Sequence, residues 1–79
     1  MKLHQLQYFC AACRYGNITK AADELHVSQP SISMAIRDLE REFGLSLIQR
    51  TNRGFSVTKE GAYFYEKAEI LLEQAEDLG

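Results

Sequence analysis

The only proline in the chain, Pro30, marks where one helix must give way to another. Apolar residues recur at helical spacing on both sides of it, at Ile18, Ala21, Ala22 and Leu25 before and at Ile32, Ala35, Ile36, Leu39 and Phe43 after. Proline is tolerated in the first turn of a helix, where its missing N–H costs little, and it disrupts a helix interior. Ser28 supplies the kind of hydroxyl that caps a helix start. His26-Val27-Ser28 therefore reads as a short turn between two helices, the second running from about Ser28 to Phe43 with Gly44 as its stop.

A further helix precedes this pair. Leu3, Leu6, Phe9, Cys10 and Cys13 give it an apolar stripe to about Tyr15, Gly16 ends it, and Asn17 is placed to cap the next one. Between Leu45 and Thr58 the period changes. Leu-Ser-Leu-Ile-Gln-Arg, the turn residues Thr51-Asn52-Arg53-Gly54, and Phe-Ser-Val-Thr with period-two alternation predict a short β-hairpin. The remainder, Thr58 to Leu78, reads as one long helix with Thr58 as cap and Glu60 in its first turn. The predicted architecture is mainly α: a winged helix-turn-helix over residues 1–58, with a three-helix core and a two-stranded wing, then a linker and dimerisation helix beginning over 59–79.

Net charge is −2, which does not by itself suggest a nucleic-acid partner. Its distribution is more informative. Residues 1–58 hold seven Lys or Arg against five Asp or Glu, whereas residues 59–79 hold two against six. A basic footprint must therefore come from a few placed arginines. No apolar run approaches the roughly 18 residues of a membrane span, and the N-terminus lacks a signal-sequence pattern, so the chain reads as soluble and cytoplasmic, without membrane contact. Cys10 and Cys13 form a CxxC, but a zinc site needs about four ligands and His4 and His26 lack ligand spacing. Both cysteines fall on a helical apolar stripe, where cysteine packs as a small hydrophobe. No cofactor or metal is expected.

The face of the third helix that the core does not need carries Ser33, Met34 and Arg37, with Gln29 projecting from its first turn. A glutamine amide pairs with adenine N6 and N7, serine hydroxyls bond bases or phosphates, and a helix N-terminus attracts phosphate. For Ser28, Ser31 and Ser33 simple capping and solvation is an equal alternative, and Arg37 is open to pairing with Asp38, Glu40 or Glu42 instead of phosphate. Arg50 and Arg53 bracket the hairpin turn, which suits a wing on the backbone or in the minor groove, with Thr51 in the same turn, although an ordinary solvated turn is the plainer alternative; Thr58 and Lys59 are candidates for further phosphate contacts. In the last helix Phe64, Ala68, Leu71, Ala75 and Leu78 follow heptad spacing, widened by Leu72 and Tyr65 on one side and Tyr63 and Ile70 on the other. Such a wide face suits a helix that packs on its own domain at its beginning and on a second copy towards its end; the plainer alternative is an ordinary core helix.

These residues in order resemble the LysR-type transcriptional regulator family: Leu3-x-x-Leu6-x-x-Phe9, Gly16-Asn17-Ile18-Thr19-Lys20-Ala21-Ala22, Leu25-His26-Val27-Ser28-Gln29-Pro30-Ser31-Ile32-Ser33, Ile36-x-x-Leu39-Glu40, Phe43-Gly44-x-x-Leu47, Arg50-x-x-Arg53 and Val57-Thr58-x-x-Gly61. The resemblance implies binding of partly palindromic double-stranded promoter DNA as a homodimer, commonly within a tetramer. It places Gln29, Pro30 and Ser33 at the base-reading helix start and Arg50 and Arg53 in the wing contacts. Met34 stands where the family frequently has arginine, so contact with a thymine methyl replaces a charged contact there. Ile48 stands for a common phenylalanine. Full-length members carry a C-terminal effector-sensing domain that these residues lack. The chain is accordingly read as truncated and as binding DNA without an inducer response.

Two other readings share parts of this pattern. A winged helix can serve as a protein-protein interaction module, since fold does not fix function. A thiol redox or metal enzyme would rest on Cys10 and Cys13, but no nucleophile, base and oxyanion donor set accompanies them, so the chain is not read as an enzyme.

Overall fold

A computed structural model describes residues 1–79. The elements are α1 (Leu3–Tyr15), α2 (Ile18–Leu25), α3 (Gln29–Phe43), β1 (Ile48–Thr51), β2 (Gly54–Val57) and α4 (Lys59–Leu78). Each helix starts on the side chain expected of it after α1. Asn17 Oδ1 accepts the Lys20 N–H at 2.9 Å, Ser28 Oγ accepts the Ser31 N–H at 3.2 Å, and Thr58 Oγ1 accepts the Gly61 N–H at 2.9 Å. These bonds satisfy N–H groups that the first helical turn leaves free. The turn between α2 and α3 is closed by His26, a residue with a side chain held at φ 57°, ψ 42° in the left-handed region.

α1 is the central helix and packs against α2, α3 and α4. Phe9, Ile32, Ile36, Leu39 and Leu47 are completely buried, with Cys10 among them, and Ala21 and Ala22 let α2 approach closely. Burying each of the large side chains contributes about 1.5–3 kcal/mol, so this cluster holds the helix-turn-helix as one unit. Phe9 meets Phe64 and Tyr65 of α4 edge to face, with ring centroids 5.7 and 6.4 Å apart. Three residues read as core lie nearer the surface: Leu3, Leu25 and Phe43 are exposed at the rims of their helices, although the Phe43 ring still meets Phe64 at 5.2 Å.

The hairpin is antiparallel, with Ile48 opposite Val57, Arg50 opposite Phe55 and Thr51 opposite Gly54. Its turn is therefore only Asn52 and Arg53, shorter than the four residues expected, because Thr51 and Gly54 close the ladder as its last pair. Gly54, at φ 133°, takes the backbone angle that the tight return requires.

α4 divides along its length. Ala68 is buried and Phe64, Tyr65 and Leu72 pack against the core of their own chain. Phe64, Ala68 and Leu72, candidates for the dimer seam by their spacing, thus pack within their own chain where α4 crosses α1, with Phe64 against Phe9. Tyr63, Ile70, Leu71 and Leu78 are the exposed ones, and Ala75 is half-buried. An ion pair between Arg14 and Glu69, 2.8 Å apart, ties α1 to the middle of α4.

Candidate nucleic-acid interface

The start of α3 stands clear of the body. Ser28, Gln29, Pro30, Ser31, Met34 and Arg37 are exposed and Ser33 is half-buried. Ser28 is the cap, and its Oγ lies 2.8 Å from Ser31 Oγ. One hydroxyl hydrogen serves that bond, leaving the other free to donate outward, so capping and ligand contact coexist here. Met34 is 62% exposed, which makes it the most exposed large apolar side chain on α3. Ending there, a thioether offers contact with an apolar group and no charge.

Arg37 is free because every carboxylate within reach in the sequence is engaged elsewhere. Asp38 lies 3.7 Å from Arg41, Glu42 pairs with the Met1 ammonium at 2.8 Å, and Glu40 accepts the backbone N–H groups of Leu47 and Ile48 at 2.8 and 3.3 Å. Arg50, Arg53 and Lys59 are likewise exposed with no carboxylate partner. A shallow cleft between α3 and β1 is lined by Ser33, Ile36, Arg37, Glu40, Ile48 and Arg50, so Arg37 and Arg50 face a common space. Arg53 sits in the turn at the far end of the wing, next to the exposed Thr51.

Thr58 differs from its expected role. Its hydroxyl donates to the Ser46 carbonyl and accepts from the Gly61 N–H, so it has no hydrogen left to give a phosphate. It belongs to the joint between wing and α4. The two thiols have no part in the site either: burial, then the nearby Glu69 charge, pushes the pKa of Cys10 and of Cys13 up to about 12, which keeps both protonated and inert as nucleophiles near neutral pH.

Residues 3–62 match the family described as bacterial regulatory helix-turn-helix protein, lysR family. The chain belongs to the LysR family. Among LysR-type relatives it is 46% identical over 77 residues to the Hca operon transcriptional activator HcaR of Escherichia coli, and 40% identical over 78 residues to BenM of Acinetobacter baylyi. These matches cover 98% and 99% of this chain but 26% of either relative, so the chain spans about a quarter of their length. The winged helix is equally close in three dimensions. It aligns with the DNA-binding domain of CbnR in its DNA complex at a TM-score of 0.95 and 42% identity, covering 100% of this chain and 91% of that one. With the BenM DNA-binding domain on its catB site 1 DNA the TM-score is 0.93 at 40% identity, covering 99% and 88%.

Two residues of this LysR-family domain went unassigned in the sequence. In the sequence Glu40 reads only as a partner for Arg37, and nothing in its spacing shows that it reaches the backbone of the wing. Gly61 carried a signal, since glycine in the first turn of a helix lowers helix propensity without evident return. Its return is a close approach to Leu47.

Proposed function

We propose that this chain is the DNA-reading part of a transcriptional regulator, binding double-stranded promoter DNA in a sequence-specific manner as a homodimer. α3 enters the major groove with Gln29, Pro30, Ser33 and Met34 at base edges and Ser28, Ser31 and Arg37 at phosphates. The wing lies along the backbone, with Arg50, Thr51 and Arg53 towards the minor groove and Lys59 at the adjoining helix start.

The observation that carries this reading is the separation of charge: Arg37, Arg50, Arg53 and Lys59 stand unpaired around α3 and the wing, while Glu66, Glu69, Glu73, Glu76 and Asp77 lie along the rest of α4. Phosphate attraction needs free cations on one face more than it needs a basic total. Relatives of the same fold and about 40% identity have been seen on DNA. The dimer rests on the exposed Tyr63, Ile70, Leu71 and Leu78, an apolar stripe that the chain's own core leaves uncovered. No helix is long and apolar enough to cross a membrane, and a reader of promoter DNA works in the cytoplasm of a bacterium. Response to a small-molecule effector, and pairing of dimers into tetramers, we assign to the portion of LysR regulators beyond the quarter matched here.

Selection from a random duplex library tests the reading, followed by titration of the enriched site at two salt concentrations. A roughly palindromic motif whose affinity falls steeply with salt supports it. A folded, dimeric sample that enriches nothing sinks it and favours a protein-interaction module.

A further inference from the structure

The cleft between α3 and the wing contains one carboxylate that DNA contact does not explain. Glu40 is half-buried on α3, lines the same cleft as Arg37 and Arg50, and is not ion-paired with either. A negative charge there opposes phosphate binding, so its role must lie elsewhere. Its Oε2 accepts from Leu47 N–H at 2.8 Å and from Ile48 N–H at 3.3 Å, at the root of β1. The other bonds at that root run within the ribbon or to α4: Ser46 Oγ donates to the Ile48 carbonyl, the Thr58 N–H to the Leu47 carbonyl at 3.0 Å, and the Thr58 hydroxyl to the Ser46 carbonyl. Glu40 is thus the one side chain by which α3 hydrogen-bonds the wing, and the shorter bond, to the Leu47 N–H, has the length of the stronger, charge-assisted kind.

We infer that Glu40 is a positioning residue for DNA recognition, holding the wing at a fixed distance and angle from α3 so that Gln29 and Arg53 engage one duplex together. A two-stranded ribbon is marginal alone and takes its orientation from what anchors it. With the Glu40 anchor, the arginine of the turn arrives at the backbone already placed; without it, only the packing of Leu47, Ile48 and Phe55 and the α4 joint hold the wing, and more of its contact must be ordered at binding. The inference rests on the DNA-binding reading.

The test is a pair of double-mutant cycles on the selected duplex, one combining Glu40→Ala with Arg53→Ala and the other with Gln29→Ala, accompanied by amide exchange at Leu47 and Ile48. We expect exchange at both amides to rise in Glu40→Ala. Arg53→Ala should weaken the parent about tenfold but the Glu40→Ala protein less than about threefold, while Gln29→Ala costs the same factor in both. A residue that only stabilises the fold lowers the competent fraction equally in every protein, so additivity in both cycles overturns the inference, as does equal coupling in both. If Glu40→Ala does not fold, Glu40→Gln, which keeps the shape and one acceptor without the charge, takes its place. A smaller Arg53→Ala loss in that background than in the parent supports the inference, and an undiminished one overturns it. Loss of no affinity on Arg53→Ala in the parent is a different failure, of the wing contact itself and hence of the proposed DNA interface.

Discussion

The Leu47 carbonyl and Gly61 are in such close contact that a Cβ added at Gly61 would lie 1.9 Å from the Leu47 oxygen and 2.8 Å from the Val57 side chain. The first turn of α4 is thereby pressed onto the residue leading into β1 and onto the last residue of β2, at the base of the wing. Backbone against backbone cannot be relieved by a rotamer change, so Gly61→Ala must push α4 and the hairpin apart. We expect a loss of about 2–3 kcal/mol, the upper part of the range for overpacking, and a melting point lower by roughly 10–20 °C for a domain of this size. A thermal or urea melt checks it, and a change under about 0.5 kcal/mol would show that the joint is compliant.

The opposite substitution is favoured at His26. Its left-handed backbone costs a residue with a side chain about 1–2 kcal/mol, while glycine in its place costs about 0.5–1 kcal/mol through the freedom of the unfolded chain. The His26 side chain is exposed and makes no hydrogen bond, so little packing is lost. His26→Gly should therefore raise stability by about 0.5 kcal/mol, read as a melting point up by roughly 2–4 °C. A lower melting point would mean that the imidazole contributes to the turn.

These two positions show why some of the fold was legible in the sequence and some was not. Ser28, Pro30, Asn17 and Gly44 act through atoms within four residues of themselves, so cap and stop signals placed α2 and α3 correctly. The division of α4 depends on where it crosses α1, and heptad spacing alone cannot distinguish Ala68, which meets the core, from Leu71, which does not. Arg37 was legible as a surface cation. Its freedom was not, because that depends on Glu40 reaching seven residues ahead to Leu47 and Glu42 reaching back to Met1.

The buried thiols carry a pH signature. In the folded chain both pKa values rise from 9.0 to about 12, chiefly through burial. Between those values the unfolded chain has released thiol protons that the folded chain retains, so the folded state loses stability as pH rises through that window. The slope for the fully buried Cys10 approaches about 1.4 kcal/mol per pH unit. Denaturant melts from pH 8 to 11 should show a decline that Cys10→Ala reduces relative to its own value at pH 8; parallel declines in the two proteins would remove the assignment to Cys10.

Base reading and phosphate contact separate by their response to salt and sequence. Gln29→Ala should cost about 1–3 kcal/mol at one base position and relax preference there, leaving the salt dependence as it was. Arg53→Ala should weaken binding evenly across sequences and reduce the salt slope by about one. Quantitative binding to a panel of single-base variants at two salt concentrations distinguishes the two. A Gln29→Ala protein with unchanged preference at every position would count against α3 as the reading helix.

The exposed stripe of α4 gives the last expectation. Leu71 is 45% and Leu78 92% exposed, with Ile70 beside them, whereas Leu72, the next residue in the chain, packs on the core. Neighbours with opposite surroundings make a matched pair. Leu71→Lys leaves the core of its own domain intact but places a charge on the stripe of both copies in a dimer. Leu71 is already about half covered by its own chain, so each lost burial is worth about half of the roughly 1.5–3 kcal/mol of a full one, and the two together should weaken association by at least about tenfold. Leu72→Lys should instead lower the melting point of the domain itself. Sedimentation equilibrium with a parallel thermal melt separates the cases. A Leu71→Lys protein that remains as dimeric as its parent would mean that the second copy sits on another surface, such as the mixed groove where Leu3, Leu25 and Val27 face the second half of α4.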